Sequence, residues 1–218
     1  TTAGREAYNL DANDLSGATF VPLRVREGDD ASCLNLNLPQ NPQLVGVNPR
    51  SLAGRFTFAE VENDTHDPWL LLDTDEADVV PAIGDAASVT WSLHKKVGDT
   101  LDYRDESGRP FKVRIVGTVA NSILQGSLVV SARHFERRFP STSGFNMFLI
   151  EAPESRSNKL AARLTYALTD VGLELTPTAD RIASFNAVQN TYLLIFQALG
   201  GLGLLLGSVG LGMVVPAT

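Results

Sequence analysis

The sequence predicts an α+β fold that ends in one long apolar helix. Two observations carry the first half: short runs of alternating apolar residues interleave with helical periodicities, and one hairpin has a clear turn. A third carries the second half, because residues 192–215 contain no charge while all 18 basic and all 25 acidic residues of the 218-residue chain precede them. The two ends are built for different solvents.

Residues 1–18 read as an irregular lead-in, with Asn9, Asp11, Asn13 and Asp14 among them. Phe20, Val21, Leu23 and Val25 predict a strand over 19–25, interrupted by Pro22 and therefore at a sheet edge. Leu34, Leu36 and Leu38 alternate with Asn35 and Asn37, a period of two with one wet face. Pro39, Pro42 and Pro49 bracket a further strand over 44–47, and 51–61 receives no type. The run 69–72 predicts a buried strand leading into an acidic patch of Asp73, Asp75, Glu76 and Asp78. A second apolar run, 79–83, ends at Gly84, and 86–93 predicts a short helix.

The clearest β signal follows. Residues 99–103, a turn at Asp105, Glu106, Ser107 and Gly108, and 110–119 make a hairpin in which Phe111, Val113 and Ile115 face a core. A strand over 128–130 precedes a helix over 132–139 stopped by Pro140. Strand character returns over 145–150. Ser155 or Ser157 then caps a helix whose Leu160, Leu164 and Leu168 form one stripe, closed by Gly172, with a strand over 173–175 ahead of Pro177.

No proline occurs between Thr178 and Pro216. Asp180 is the expected cap, and Ile182, Phe185, Gln189, Tyr192, Phe196 and Leu199 follow at three- or four-residue steps, the seam of an amphipathic stalk over 179–191. The helix is expected to run on through 192–215, about 36 Å at 1.5 Å per residue, against roughly 30 Å for a hydrocarbon core. A buried helix of a large soluble protein is the competing reading, but a charge-free stretch of this length exceeds what a core helix needs. Gly203, Gly207 and Gly210 fall near one face, where glycines permit close approach between helices in lipid.

Composition removes several functions. A net charge of −7 and a pI near 4.9 leave no basic footprint for nucleic acid. The one basic cluster, Arg133, His134, Arg137 and Arg138, reads as a solvated helix face. A single cysteine, Cys33, supports neither a disulfide scaffold nor a cysteine-rich zinc site. The acidic patch starts like a calcium loop, but Asp78 and Gly84 stand where an EF-hand needs glycine and glutamate, so a solvated loop is expected. His66, His94 and His134 show no metal-ligand spacing, and no nucleophile elbow or phosphate loop is present. No catalytic residue, metal or cofactor is therefore assigned. Trp69 and Trp91 read as core or rim aromatics, or as the wall of an apolar groove. The chain starts at Thr1 without a cleavable signal and reads as a piece of a longer protein.

Three features together resemble a known family: the run Lys96-Val97-Gly98-Asp99-Thr100-Leu101, the hairpin from Gly108-Arg109-Pro110-Phe111 to Ile115-Val116-Gly117-Thr118-Val119, and the charge-free helix after Ala179-Asp180. In that order they resemble the extracytoplasmic domain and following transmembrane helix of FtsX/MacB-type ABC transporter permeases, over roughly residues 80 to 215. The runs 120–126 and 185–190 are most similar to large permeases with two such domains, of which this would be the second.

The resemblance implies a two-lobed, MacB-like periplasmic domain, with one lobe from 19–79 and 144–178 and an inserted β-rich lobe from 80–143. It implies a bacterial inner (cell) membrane location with 1–191 extracytoplasmic. It also implies a non-enzymatic role, with ATP hydrolysed by a separate cytoplasmic ATP-binding subunit. The membrane helix would pass that motion to a domain acting on a lipid, lipoprotein, peptide or partner protein. A membrane-tethered ligand-binding or sensor module without an ATPase is the alternative.

Overall fold

A computed structural model describes residues 2–28, 41–63 and 65–214. The expected strand around Leu34, Leu36 and Leu38 lies outside the described residues, as does Cys33. The chain divides into two compact units, Thr1–Thr176 and Pro177–Thr218.

The first unit is an α+β fold on a mixed sheet of eight strands. The lead-in carries a short helix, α1 (Thr2–Ala7). β1 (Thr19–Arg26) changes neighbours along its length: residues 19–23 pair with β8 (Met147–Glu151), and 24–26 pair with β2 (Gln43–Val47), both antiparallel. Pro22 sits in the half that pairs on one side only, where its missing N–H breaks no second ladder. β2 runs parallel to β7 (Ser127–Ser131), which pairs antiparallel with β4 (Val79–Asp85). β4 lies parallel to β6 (Pro110–Ala120), and β6 also carries β3 (Thr57–Val61) and β5 (Thr100–Arg104).

The strands do not separate at the expected lobe boundaries. β2 and β3, expected in one lobe, pair with β7 and β6, expected in the other, so both sets share one sheet. What divides is the core. Alternation along the strands sends Leu44, Ala82, Val113 and Val130 into one apolar cluster, and Val45, Ile83, Val116 and Val129 into a second. The first is closed by α2 (Ala132–Arg138), whose Phe135 lies so close over Gly46 that a Cβ there would meet the ring at 2.7 Å. The second holds Trp69, packed edge-on against Phe56 and Phe58, with its indole N–H donated to the Arg55 carbonyl at 3.1 Å.

Three local expectations are corrected. Residues 69–72 are not a strand but part of a 3-10 helix, Pro68–Asp73, because Pro68 sets the first turn and the Asp67 carboxylate accepts the Trp69 N–H. Residues 173–175 form no strand. The helix α3 (Glu154–Ala167) starts after Pro153 without a side-chain cap, and its buried stripe is Leu160 and Leu164, since Leu168 already terminates it. Gly172 does end this region, in the left-handed conformation at φ 72°. The hairpin of β5 and β6 stands where the sequence puts it, with Gly108 at φ 79° in the turn.

The second unit is one helix, α4 (Thr178–Val214), 37 residues without a break. The expected membrane span is not found among the described residues, where no helix is long and apolar enough to cross a membrane. Side chains are described without interruption from Leu193 to Ser208. That run would reach about 24 Å, short of the roughly 30 Å required. Residue 215 lies outside the described residues.

Candidate functional site

The residues singled out by sequence for coupling and helix packing all lie on α4, but the structure describes only some of their side chains. Ile182 is half-buried. Phe185 is covered by the Arg181 guanidinium at 4.8 Å from its ring centroid, and Phe196 is exposed. The Gln189 and Tyr192 side chains and the surroundings of Gly210 are not described, although the helix backbone is. Gly203 and Gly207 have nothing within 4 Å of where a Cβ would stand.

Continuity of the helix joins the two expected groups. The steps from Ile182 through Phe185, Gln189, Tyr192 and Phe196 to Gly200, Gly203, Gly207 and Gly210 are all of three or four residues, 3.5 on average. A straight helix drifts about 20° per heptad against such a repeat, so both groups share one broad stripe.

Apolar exposure on α4 is not confined to that stripe. Leu193, Leu194, Ile195, Phe196, Leu199, Leu202, Leu204, Leu205 and Leu206 are 49–75% exposed, and at 100° per residue they point all around the axis. A helix apolar on every side belongs inside a large core or in lipid. Three of its hydroxyls are satisfied within the helix: Ser184 donates to the Arg181 carbonyl at 2.7 Å, Thr191 to Ala187 at 2.8 Å, and Ser208 to Leu204. Such bonds matter most where water cannot supply a partner.

On the first unit, the basic cluster and the acidic patch prove to be one surface feature; its charged groups are largely solvated as expected, and His134 alone among the cluster is buried. Arg133 pairs with Asp75 at 2.9 Å, Arg137 with the same carboxylate at 3.5 Å, and Arg138 with Asp78 at 3.5 Å. Ser131 bonds Asp73, and Arg114 pairs with Glu76 and with Glu62. His134 is buried beneath them and donates Nε2–H to the Thr74 carbonyl at 3.0 Å. Burial holds the His134 imidazole below its ordinary 6.5, with Arg133 and Arg137 adding to that and the Thr74 bond and Asp75 opposing it. Asp75 is pushed up by burial but held below the usual carboxylate value by Arg133 and Arg137, with His134 adding to them. The patch is a clip fastening residues 73–78 to α2, and sequence distance hid it: the partners are about sixty positions apart.

Among the described residues no group of histidine, cysteine and carboxylate side chains could hold a metal ion. Trp69 is core and lines no groove, whereas Trp91 stands exposed. An open cleft of about 600 Å³ is lined by Arg26, Asp102, Tyr103, Arg104 and Phe139, among others. Arg26 lies over the Phe139 ring at 5.3 Å and narrows its floor.

No family model matches the sequence, and no curated protein matches it. Among solved structures the chain is similar to the extracellular domain of the noncanonic ABC-type transporter YknZ from Gram-positive bacteria. The identity is 10%, the TM-score 0.37, and the likeness covers 78% of this chain and 84% of that one. At that TM-score the likeness carries no argument about function.

Proposed function

We propose that this chain is the extracytoplasmic domain of an ABC transporter permease of the FtsX/MacB type, with 192–215 as the membrane span that follows it. One observation carries the reading: α4 is a single helix that begins with Asp180 and Arg181 and continues into a stretch apolar on every side, its leucines turned outward. A soluble core helix would need its leucines covered, and lipid covers them at no desolvation cost. The sequence resemblance supplies the family.

In this reading a separate ATP-binding subunit on the cytoplasmic side drives the membrane helices. Because a continuous helix transmits axial displacement, motion at the span reaches residues 179–191 and the domain before them. The domain in turn handles a lipid, lipoprotein, peptide or protein partner. No catalytic residue or cofactor is assigned to the chain.

The test is a glycine-rich insertion between Arg181 and Thr191 in the full-length protein. ATP hydrolysis by the reconstituted complex should persist while its transport or extraction activity is lost. Unchanged activity overturns the coupling role. If no ATP-binding subunit copurifies with the full-length protein, the tethered sensor reading replaces the transporter one.

A further inference from the structure

The knuckle between β4 and β5 presents a feature that coupling through α4 does not use. Residues Ser88–Ser92 form a π-helical turn that carries Trp91 at 72% exposure, although its base is firmly fixed. Val89 and Leu93 are buried in the core. The Leu93 N–H bonds the Ser88 carbonyl at 3.0 Å, and the Lys95 N–H folds back onto the Val89 carbonyl at 2.9 Å. Beneath the turn, the buried Asp85 carboxylate accepts the N–H groups of Ala87, Ser88 and Ser122 at 3.0, 3.3 and 3.1 Å. The indole is thus held out from a rigid foundation. Exposing an aromatic of this size on an ordered turn forgoes the burial that fixes Trp69.

What surrounds the indole points to its partner. Lys95 and Lys96 follow it on the same knuckle, and among the described residues neither ammonium enters an ion pair. Asp99 accepts the Lys96 backbone N–H at 3.0 Å. Thr90, Trp91, His94 and Lys96 are all exposed, so one aromatic ring stands among polar and cationic groups on a chain of net charge −7. That is far less apolar surface than the roughly 800 Å² per partner of a stable protein interface. A lone indole flanked by lysines is instead what a lipid headgroup layer accommodates: the amphipathic ring sits at the interface, and each lysine is attracted to anionic lipid.

We propose that the knuckle 88–96 docks on an anionic phospholipid surface, with Trp91 inserted among headgroups and Lys95 and Lys96 against phosphate. This rests on the membrane reading of the chain. The full chain is mixed with vesicles of brominated phosphatidylcholine, or of equal parts brominated phosphatidylcholine and phosphatidylglycerol. Flotation and tryptophan quenching are then measured together. Trp69, 1% exposed, supplies the unquenched background, which a Trp91→Phe variant isolates.

Quenching of Trp91 should appear in the anionic vesicles and not in the neutral ones. The double substitution Lys95→Gln, Lys96→Gln should lower the docked-to-undocked ratio read from Trp91 quenching at saturating anionic lipid by about tenfold or more, as two lysines near a charged surface would. A chain that floats with both vesicles while Trp91 is equally unquenched in both overturns the docking proposal and leaves the membrane reading standing. A chain that floats with neither overturns both. Protection of Trp91 that grows with protein concentration in the absence of lipid assigns the knuckle to a second copy of the chain and overturns the proposal.

Discussion

Leucines in the two units are treated in opposite ways. In the sheet unit Leu23, Leu44, Leu72 and Leu128 are almost wholly covered, whereas Leu199, Leu204, Leu205 and Leu206 on α4 are mostly bare. The same side chain cannot be at home in both settings unless the settings differ in solvent. The sheet unit reaches its minimum by collecting apolar groups on two faces of one sheet, with polar groups clipped outside. On the proposed reading, residues 193–206 of α4 find theirs in an apolar surrounding, because their leucines are not segregated to one face.

The comparison can be broken most forcefully in the core. Trp69→Ala should destabilise the sheet unit by about 3 to 5 kcal/mol, through lost packing on Phe56 and Phe58 and an orphaned Arg55 carbonyl. Chemical denaturation followed by circular dichroism measures it. The same chemistry on α4 should act on partition instead of folding. Leu205→Arg should cost about 2.5 to 3.5 kcal/mol of membrane insertion and leave the denaturation midpoint of the sheet unit unchanged. A variant that floats with vesicles as well as the parent would show that α4 is not a span.

Acid gives a smaller effect confined to the sheet unit. His134 has a folded pKa below its ordinary 6.5, so unfolding takes up protons below that value. Its contribution is whole above pH 6.5 and declines as pH falls toward the folded pKa. Melting temperature should therefore drop as pH falls below 6.5, and His134→Gln should flatten that segment of the profile. The smallest expected effect sharpens the account of α4. Gly203→Ala meets no neighbour, so in an isolated helix it should add about 1 kcal/mol of helix stability. If Gly203 and Gly207 pack against another membrane helix, the same substitution should weaken assembly in detergent cross-linking.

Local patterns made much of this fold readable. The β5–β6 hairpin, β7, α2 with its stop at Pro140, and the start of α4 near Asp180 all follow from periodicity and turn chemistry, which act over a few residues. Strand partners did not follow. Nothing within β2 announces that it lies beside β7 more than eighty residues later, and so the lobe division drawn along the chain missed a sheet that interleaves both sets. Local apolarity also misled at 69–72, where Pro68 and Asp67 override strand propensity. The candidate site was legible as spacing on one helix. The clip between residues 73–78 and α2 was not, because opposite charges far apart in sequence give no periodic signal.

The two-partner arrangement of β1 bears on how load would enter the sheet. Among the described strands β8 pairs with β1 alone, over five residue pairs, and the chain leaves β8 through α3 toward Pro177. On the proposed coupling role, tension arriving along that path would meet the bonds of α3 to the lead-in, Arg163 on Asp14 and Arg156 on the Asn13 and Ser16 carbonyls, and then this seam, with the ladders built on β2, β4, β6 and β7 behind it. On that reading the seam would act as a mechanical fuse by its place in the topology, unzipping and reclosing while the doubly flanked strands keep their register.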